Sequence, residues 1–128
     1  PQLKRLDSGL ALWRIGIDGT ADWAYIHNGG DKVNQALQHA MVYRTENGVL
    51  DTLEWEGFRE GVDDIRYLTT LLETMGRVKS RFPDEPLVRG TEKWLARLDL
   101  FSANPDLDAI RREMALRIKK LTQANPVK

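Results

Sequence analysis

The sequence contains no cysteine, and this absence removes several kinds of chemistry at once. Disulfide bonds, thiolate zinc sites and cysteine nucleophiles all require a thiol. Histidine is scarce too: His27 and His39 are the only two in 128 residues, so a histidine-rich metal site is not expected. We therefore predict neither a metal ion nor another cofactor for this chain.

An excess of charge of one sign is also lacking. The 19 basic residues balance 19 acidic residues, and the formal net charge is zero. Non-specific binding to nucleic acid or to an anionic membrane depends on a basic surplus, so neither partner is expected. The basic run from Arg111 to Lys120 is interpreted as a solvated helix face.

Long apolar runs and a signal peptide are absent as well. No stretch approaches the roughly 20 residues that a membrane-spanning helix needs. The chain begins at Pro1 within patterned sequence, which we interpret as a piece of a longer protein. The compartment is therefore left open, and an extracellular or periplasmic location is compatible with the parent protein.

Helical periodicity is what the sequence does contain. Apolar residues spaced three and four apart predict a helix over residues 2–15, which Gly9 weakens. A long helix is predicted from Asp51, a suitable N-cap residue, to Phe82, because Pro83 stops it.

Two more helices are predicted after this proline. One covers residues 86–100, and the other follows the cap pair Asn104–Pro105 and runs to Gln123. Three amphipathic helices would then lie within residues 52–123. They support one hypothesis for the whole chain, a free-standing helical domain that binds a partner protein and has no enzymatic activity.

Extended structure is predicted at two places. The segment ADWAYIH, residues 21–27, is short, aromatic and apolar, which is typical of a buried strand. Residues 41–44 and 49–50 are weaker extended pieces, separated by the turn dipeptide Asn47–Gly48. Residues 31–40 fit a short helix and an irregular segment equally well.

Two glycines, Gly57 and Gly61, lie four residues apart in the long helix. Each costs roughly 1 kcal/mol relative to alanine, so we predict that another backbone approaches this flank closely. A separate apolar face is predicted to be buried as well; it comprises Phe58, Val62, Ile65, Thr69 and Leu72. Glu56 and Glu60 are interpreted as a solvated, ion-paired face rather than catalytic acids, because a mid-helix carboxyl rarely lies in a cleft.

The stretch LEWEGFREGVDDIRYLTTLL resembles the helix signature near the end of the catalytic barrel in glycoside hydrolase family 123-like proteins. This family includes β-N-acetylgalactosaminidases and many uncharacterised bacterial members. The upstream run LALWRIGIDGTADWAYIHNGGD and the loop VYRTENGVLDTLEWEG are also similar to segments of the family. The resemblance covers residues 8–73, and its signature residues are Arg59, Glu60, Gly61, Asp63, Asp64 and Tyr67.

The resemblance implies a fold of the α/β class that is mostly helical here. The chain would be the C-terminal segment of a (β/α)8 TIM-type barrel, namely the last strand and its flanking helices. Residues 1–80 would form this barrel part, and residues 81–128 would form a helical C-terminal extension. The signature residues would then fix the last helix to the barrel.

The resemblance also implies a parent protein that acts on or binds glycans, of the N-acetylhexosaminide type. Ligands of such barrels bind at the C-terminal ends of the strands. This would make Trp23, Tyr25 and His27 sugar contacts. The plain alternative for the two aromatic residues is core packing, and for His27 it is an ordinary position at a strand end.

The resemblance places the hydrolytic chemistry outside this chain. Family members use the acetamido group of the substrate together with an Asp–Glu pair on an earlier strand. Asp63–Asp64 is not that pair, because it lies on a predicted helix. We therefore expect no catalytic residue and no hydrolase activity in the chain alone. Its expected partners are carbohydrate and either the rest of the parent chain or a second copy, bound through an exposed barrel edge.

Overall fold

The computed structural model describes residues 2–21, 25 and 41–124. Within them the chain forms five helices and one two-stranded sheet. It divides into two units, residues 1–62 and 63–128. In chain order the elements are α1 (Gln2–Asp7), α2 (Leu10–Ile15), β1 (Val42–Thr45), β2 (Gly48–Asp51), α3 (Leu53–Arg81), α4 (Pro86–Ala96) and α5 (Leu107–Ala124).

The prediction of a (β/α)8 barrel segment is wrong. Such a barrel consists of parallel strands that alternate with helices, whereas β1 and β2 pair antiparallel. The two-residue loop Glu46–Asn47 joins these strands, and so short a connection can only return the chain antiparallel. In the described part of the chain, three helices then follow β2 with no strand between them.

The strand predicted for residues 21–27 falls mostly outside the described residues. Ala21 and Tyr25 are described, and neither belongs to a strand. The weaker extended pieces are confirmed, since they correspond to β1 and β2. Gly48 is the first residue of β2 and has a φ of 148°, a backbone conformation that residues with a side chain rarely adopt.

The first predicted helix is divided at Gly9 into α1 and α2. Gly16 ends α2 in the left-handed conformation, with a φ of 75°, a common way for a helix to end. A β-carbon built on Gly9 would lie 2.8 Å from the carbonyl oxygen of Gly61. The turn between α1 and α2 therefore meets the backbone of α3 on the side of the helix that carries Gly57 and Gly61. We call this side the glycine flank.

The buried stripe of α3 differs from the predicted apolar face. Thr69 and Leu72 are exposed, although both were placed on that face. The glycine flank continues as the packing face instead, with buried positions alternately four and three residues apart, a spacing that keeps one side of a helix inward. These positions are Gly57, Gly61, Asp64, Leu68, Leu71, Met75 and Val78.

Thr52 connects the hairpin to α3. Its hydroxyl donates to the carbonyl oxygen of Met41 at 2.6 Å and accepts from the backbone N–H of Trp55 at 3.2 Å. Thr52 is therefore the N-cap of α3. The predicted cap, Asp51, is instead the last residue of β2.

We expect Thr52→Val to lower the free energy of unfolding by about 1–2 kcal/mol, because it removes the cap and leaves the Met41 carbonyl without this donor. Thr70→Val is the matched control, since its exposed hydroxyl donates only to the Arg66 carbonyl one turn earlier. Its expected effect is below about 0.5 kcal/mol. Urea denaturation measures both, and equal losses would contradict the cap assignment.

In the second unit, α4 and α5 begin at acidic caps. The Glu85 carboxylate accepts from the Leu87 N–H at 3.2 Å, and the Asp106 carboxylate accepts from the Ala109 N–H at 2.8 Å. The cap predicted at Asn104 is therefore wrong by two residues. The buried apolar side chains of these two helices and the segment between them are Val88, Leu95, Leu100, Leu107, Met114 and Leu121.

Candidate functional site

Three aromatic side chains meet in the first unit, and we name them the aromatic cluster: Tyr25, Trp55 and Phe58. The Tyr25 ring lies edge-on to Trp55, with 5.3 Å between ring centroids and 73° between ring planes. Trp55 stacks on Phe58 at 5.9 Å and 9°. Tyr25 is 48% exposed, while the other two are half-buried. The cluster therefore has a supported inner part and one ring open to solvent.

Backbone contacts fix where these rings meet. The carbonyl oxygen of Tyr25 accepts from the Val42 N–H at 3.0 Å, which places residue 25 beside the outer edge of β1. Trp55 lies in the first turn of α3, where Thr52 caps the helix. Phe58 follows three residues later, so it shares a helix face with Trp55. The hairpin and the start of α3 together build the cluster.

Two acidic residues, Glu54 and Glu56, share the first turn of α3 with Trp55. Glu54 is exposed, and the carboxylate of Glu56 accepts from Arg59 at 2.9 Å. The predicted ion pairing of Glu56 is thus confirmed. The cluster combines apolar ring faces with a phenol hydroxyl, which suits ligand binding more than acid–base chemistry.

Of the three sugar contacts implied by the resemblance, the structure places one. Tyr25 lies in the aromatic cluster, whereas Trp23 and His27 lie outside the described residues. Sequence reasoning missed Trp55 and assigned Phe58 to a buried helix face. The signal that could have found them was a pair of aromatic residues three apart, directly after a helix cap.

The acidic pair of the signature separates into two roles in the second unit. The carboxylate of Asp63 accepts from Arg66 at 2.9 Å on the surface. Asp64 is buried and accepts from the Nε of Arg111 at 2.6 Å. The Arg111 guanidinium also lies 5.8 Å from the centroid of the Tyr67 ring. Asp64 therefore ties α3 to α5 and is a structural group.

The interpretation of the basic run as a solvated face is wrong for two of its members, Arg111 and Arg117. The Arg117 guanidinium lies 4.7 Å from the centroid of the Trp94 ring and donates to the Thr91 hydroxyl at 3.2 Å. It also forms an ion pair with Glu113 at 2.7 Å. The other three basic residues are exposed, namely Arg112, Lys119 and Lys120.

An open groove of about 340 Å³ lies between α3 and α5 in the second unit. It is lined by Arg66, Tyr67, Thr70, Ala115 and Ile118. Among the described residues, no group of three or more His, Cys, Asp or Glu side chains is arranged to hold a metal ion. None of the described helices is long and apolar enough to cross a membrane.

Comparisons of the chain with protein-family models, with curated proteins and with solved structures find no match. The surface chemistry that bears on function is that of two features, the aromatic cluster and the groove.

Proposed function

We propose that this chain binds carbohydrate through the aromatic cluster, as part of a glycoside-hydrolase-like protein that acts on or binds N-acetylhexosaminides. The observation that carries the proposal is the half-exposed Tyr25 ring supported edge-on by Trp55. The resemblance of residues 8–73 supplies the sugar class. The chain contributes binding surface, and bond cleavage is left to residues outside it.

The physical argument starts from the two faces of a sugar ring. One face carries C–H groups and packs well on an aromatic ring, while hydroxyls around the rim need hydrogen-bond partners. Tyr25 and Trp55 offer the apolar contact. The phenol hydroxyl of Tyr25 offers a polar contact. Because one small, open surface is involved, the expected Kd for a monosaccharide is on the order of 1 mM.

Saturation-transfer NMR tests the proposal with N-acetylgalactosamine, N-acetylglucosamine and unmodified hexoses. We expect transfer to the N-acetylhexosamines, and an affinity about fivefold weaker in Tyr25→Ala and in Trp55→Ala, since each aromatic contact contributes about 1 kcal/mol. Phe101→Ala is the control, because this side chain is 62% exposed in the second unit. Equal transfer in Tyr25→Ala and Phe101→Ala would contradict the site.

The groove between α3 and α5 favours a second candidate, a protein-interaction module. Its lining is mainly apolar, and Leu72 and Leu116 are exposed on the same two helices. Such a groove suits an amphipathic helix of a partner. Selection from a library of helical peptides would test it: binders that are lost with Thr70→Arg, but kept with Tyr25→Ala, would support this function.

A further inference from the structure

The hairpin has one edge whose backbone groups point outward. The Met41 carbonyl accepts from the Thr52 N–H at 3.3 Å, so this pair is of the hydrogen-bonded type. Hydrogen-bonded and non-bonded pairs alternate along an antiparallel ladder. The pairs Val42↔Asp51 and Arg44↔Val49 are therefore of the non-bonded type, and their backbone groups face away from the hairpin.

The two edges of the hairpin differ in whether their outward-facing N–H groups have acceptors. On the β1 side, the Val42 N–H donates to the carbonyl of Tyr25. On the β2 side, no described residue accepts from the N–H of Val49 or of Asp51. All four residues of β2 are exposed, with Val49 at 46% and Leu50 at 59%. An exposed apolar edge of this kind is a template for pairing with another strand.

We propose that β2 pairs antiparallel with β2 of a second copy of this chain, about a two-fold axis through Leu50. Val49 would then lie opposite Asp51 of the second copy, and Asp51 opposite Val49 of the second copy. Both are outward-facing positions, so each pair exchanges two N–H···O=C bonds. Leu50 lies opposite Leu50 of the second copy in a non-hydrogen-bonded pair. The Cα atoms of such a pair are about 4.5 Å apart.

The backbone pattern favours a second copy in this register, because the outward-facing groups of Val49 and Asp51 in one copy meet those of Asp51 and Val49 in the other. This register also keeps the two Asp51 side chains out of directly opposite positions. A register with Asp51 opposite Asp51 would instead place like charges together, which destabilises a sheet.

Disulfide trapping tests the register, because the native chain contains no cysteine and a single introduced one reports only this contact. We expect Leu50→Cys to form a disulfide-linked dimer in most molecules after mild oxidation. Val49→Cys is the control: its counterpart lies two residues farther along the opposite strand, beyond the roughly 7 Å Cα limit for a disulfide. It should give at most a tenth of the dimer, and equal yields would overturn the register.

Sedimentation velocity tests the association without a cross-link. The native chain is expected to show a concentration-dependent dimer. Val49→Pro removes an outward-facing donor at an edge position where proline is tolerated, so the fold should persist while the dimer weakens at least tenfold. Circular dichroism checks the fold. A native chain that stays monomeric at high concentration, with no preferential Leu50→Cys disulfide, would overturn the proposal.

Discussion

Gly61→Ala is expected to lower the free energy of unfolding by about 1–3 kcal/mol. A β-carbon on Gly61 would lie 2.6 Å from the carbonyl oxygen of Arg5 and 3.1 Å from the carbonyl carbon of Ser8. Both contacts are backbone atoms, so α1 or α3 must shift. This overpacking exceeds the gain of about 1 kcal/mol that alanine brings within a helix.

Gly76→Ala is the matched control in the same helix. Nothing lies within 4 Å of a β-carbon at Gly76, so only the helix preference of alanine acts. This substitution should raise the free energy of unfolding by about 0.5–1 kcal/mol. Guanidinium denaturation of both variants therefore gives opposite signs. A stabilising Gly61→Ala would show that α1 and α3 do not meet at this flank.

Arg111→Met is expected to lower the free energy of unfolding by about 3 kcal/mol. The side chain of Asp64 is only 1% exposed, and its bond to Arg111 is 2.6 Å long. Removing the arginine takes away a cation that offsets the desolvation of this buried carboxylate. Replacing both partners, with Asp64→Leu and Arg111→Met together, should recover part of this loss because the buried carboxylate is removed along with its cation.

Arg66→Met provides the comparison on the surface. Its partner is Asp63 at 2.9 Å, and the side chains are 75% and 47% exposed. Exposed pairs of this kind contribute less than about 1 kcal/mol, so the expected change is small. Thermal and urea unfolding of the three variants would measure the difference. Equal effects of Arg66→Met and Arg111→Met would contradict a structural role for Asp64.

Local pattern predicted much of the helical structure. The long helix ends within a residue of its predicted limit, because Pro83 stops it. The glycine flank of that helix also meets another backbone, as the cost of two helical glycines suggested. Gly9 was recognised as a weak point, and it marks the break between α1 and α2.

The barrel could not be judged from local pattern, because it depends on which strands pair. The hairpin was visible as two extended pieces and a turn, and its antiparallel pairing follows from the two-residue loop alone. The Asp64–Arg111 pair joins residues 47 positions apart, so no spacing rule reveals it. The basic run was misinterpreted because Arg111 and Arg117 also contact residues that are far from them in the sequence.

For the candidate site, sequence reasoning supplied Tyr25 through a family resemblance. Its role in sugar binding is still a prediction. The meeting of Tyr25 with Trp55 depends on the contact between residue 25 and β1, which is non-local. A pattern search along the chain therefore finds the individual rings but not the aromatic cluster.

The most direct measurement is a titration of the isotope-labelled chain with N-acetylgalactosamine, followed on the indole N–H signals of its four tryptophans. Single Trp→Phe variants assign the signals. We predict that the Trp55 signal moves with sugar concentration, while that of Trp94, which lies under Arg117 in the second unit, stays in place. A Trp55 signal that does not move at several times the expected Kd would contradict carbohydrate binding at the aromatic cluster.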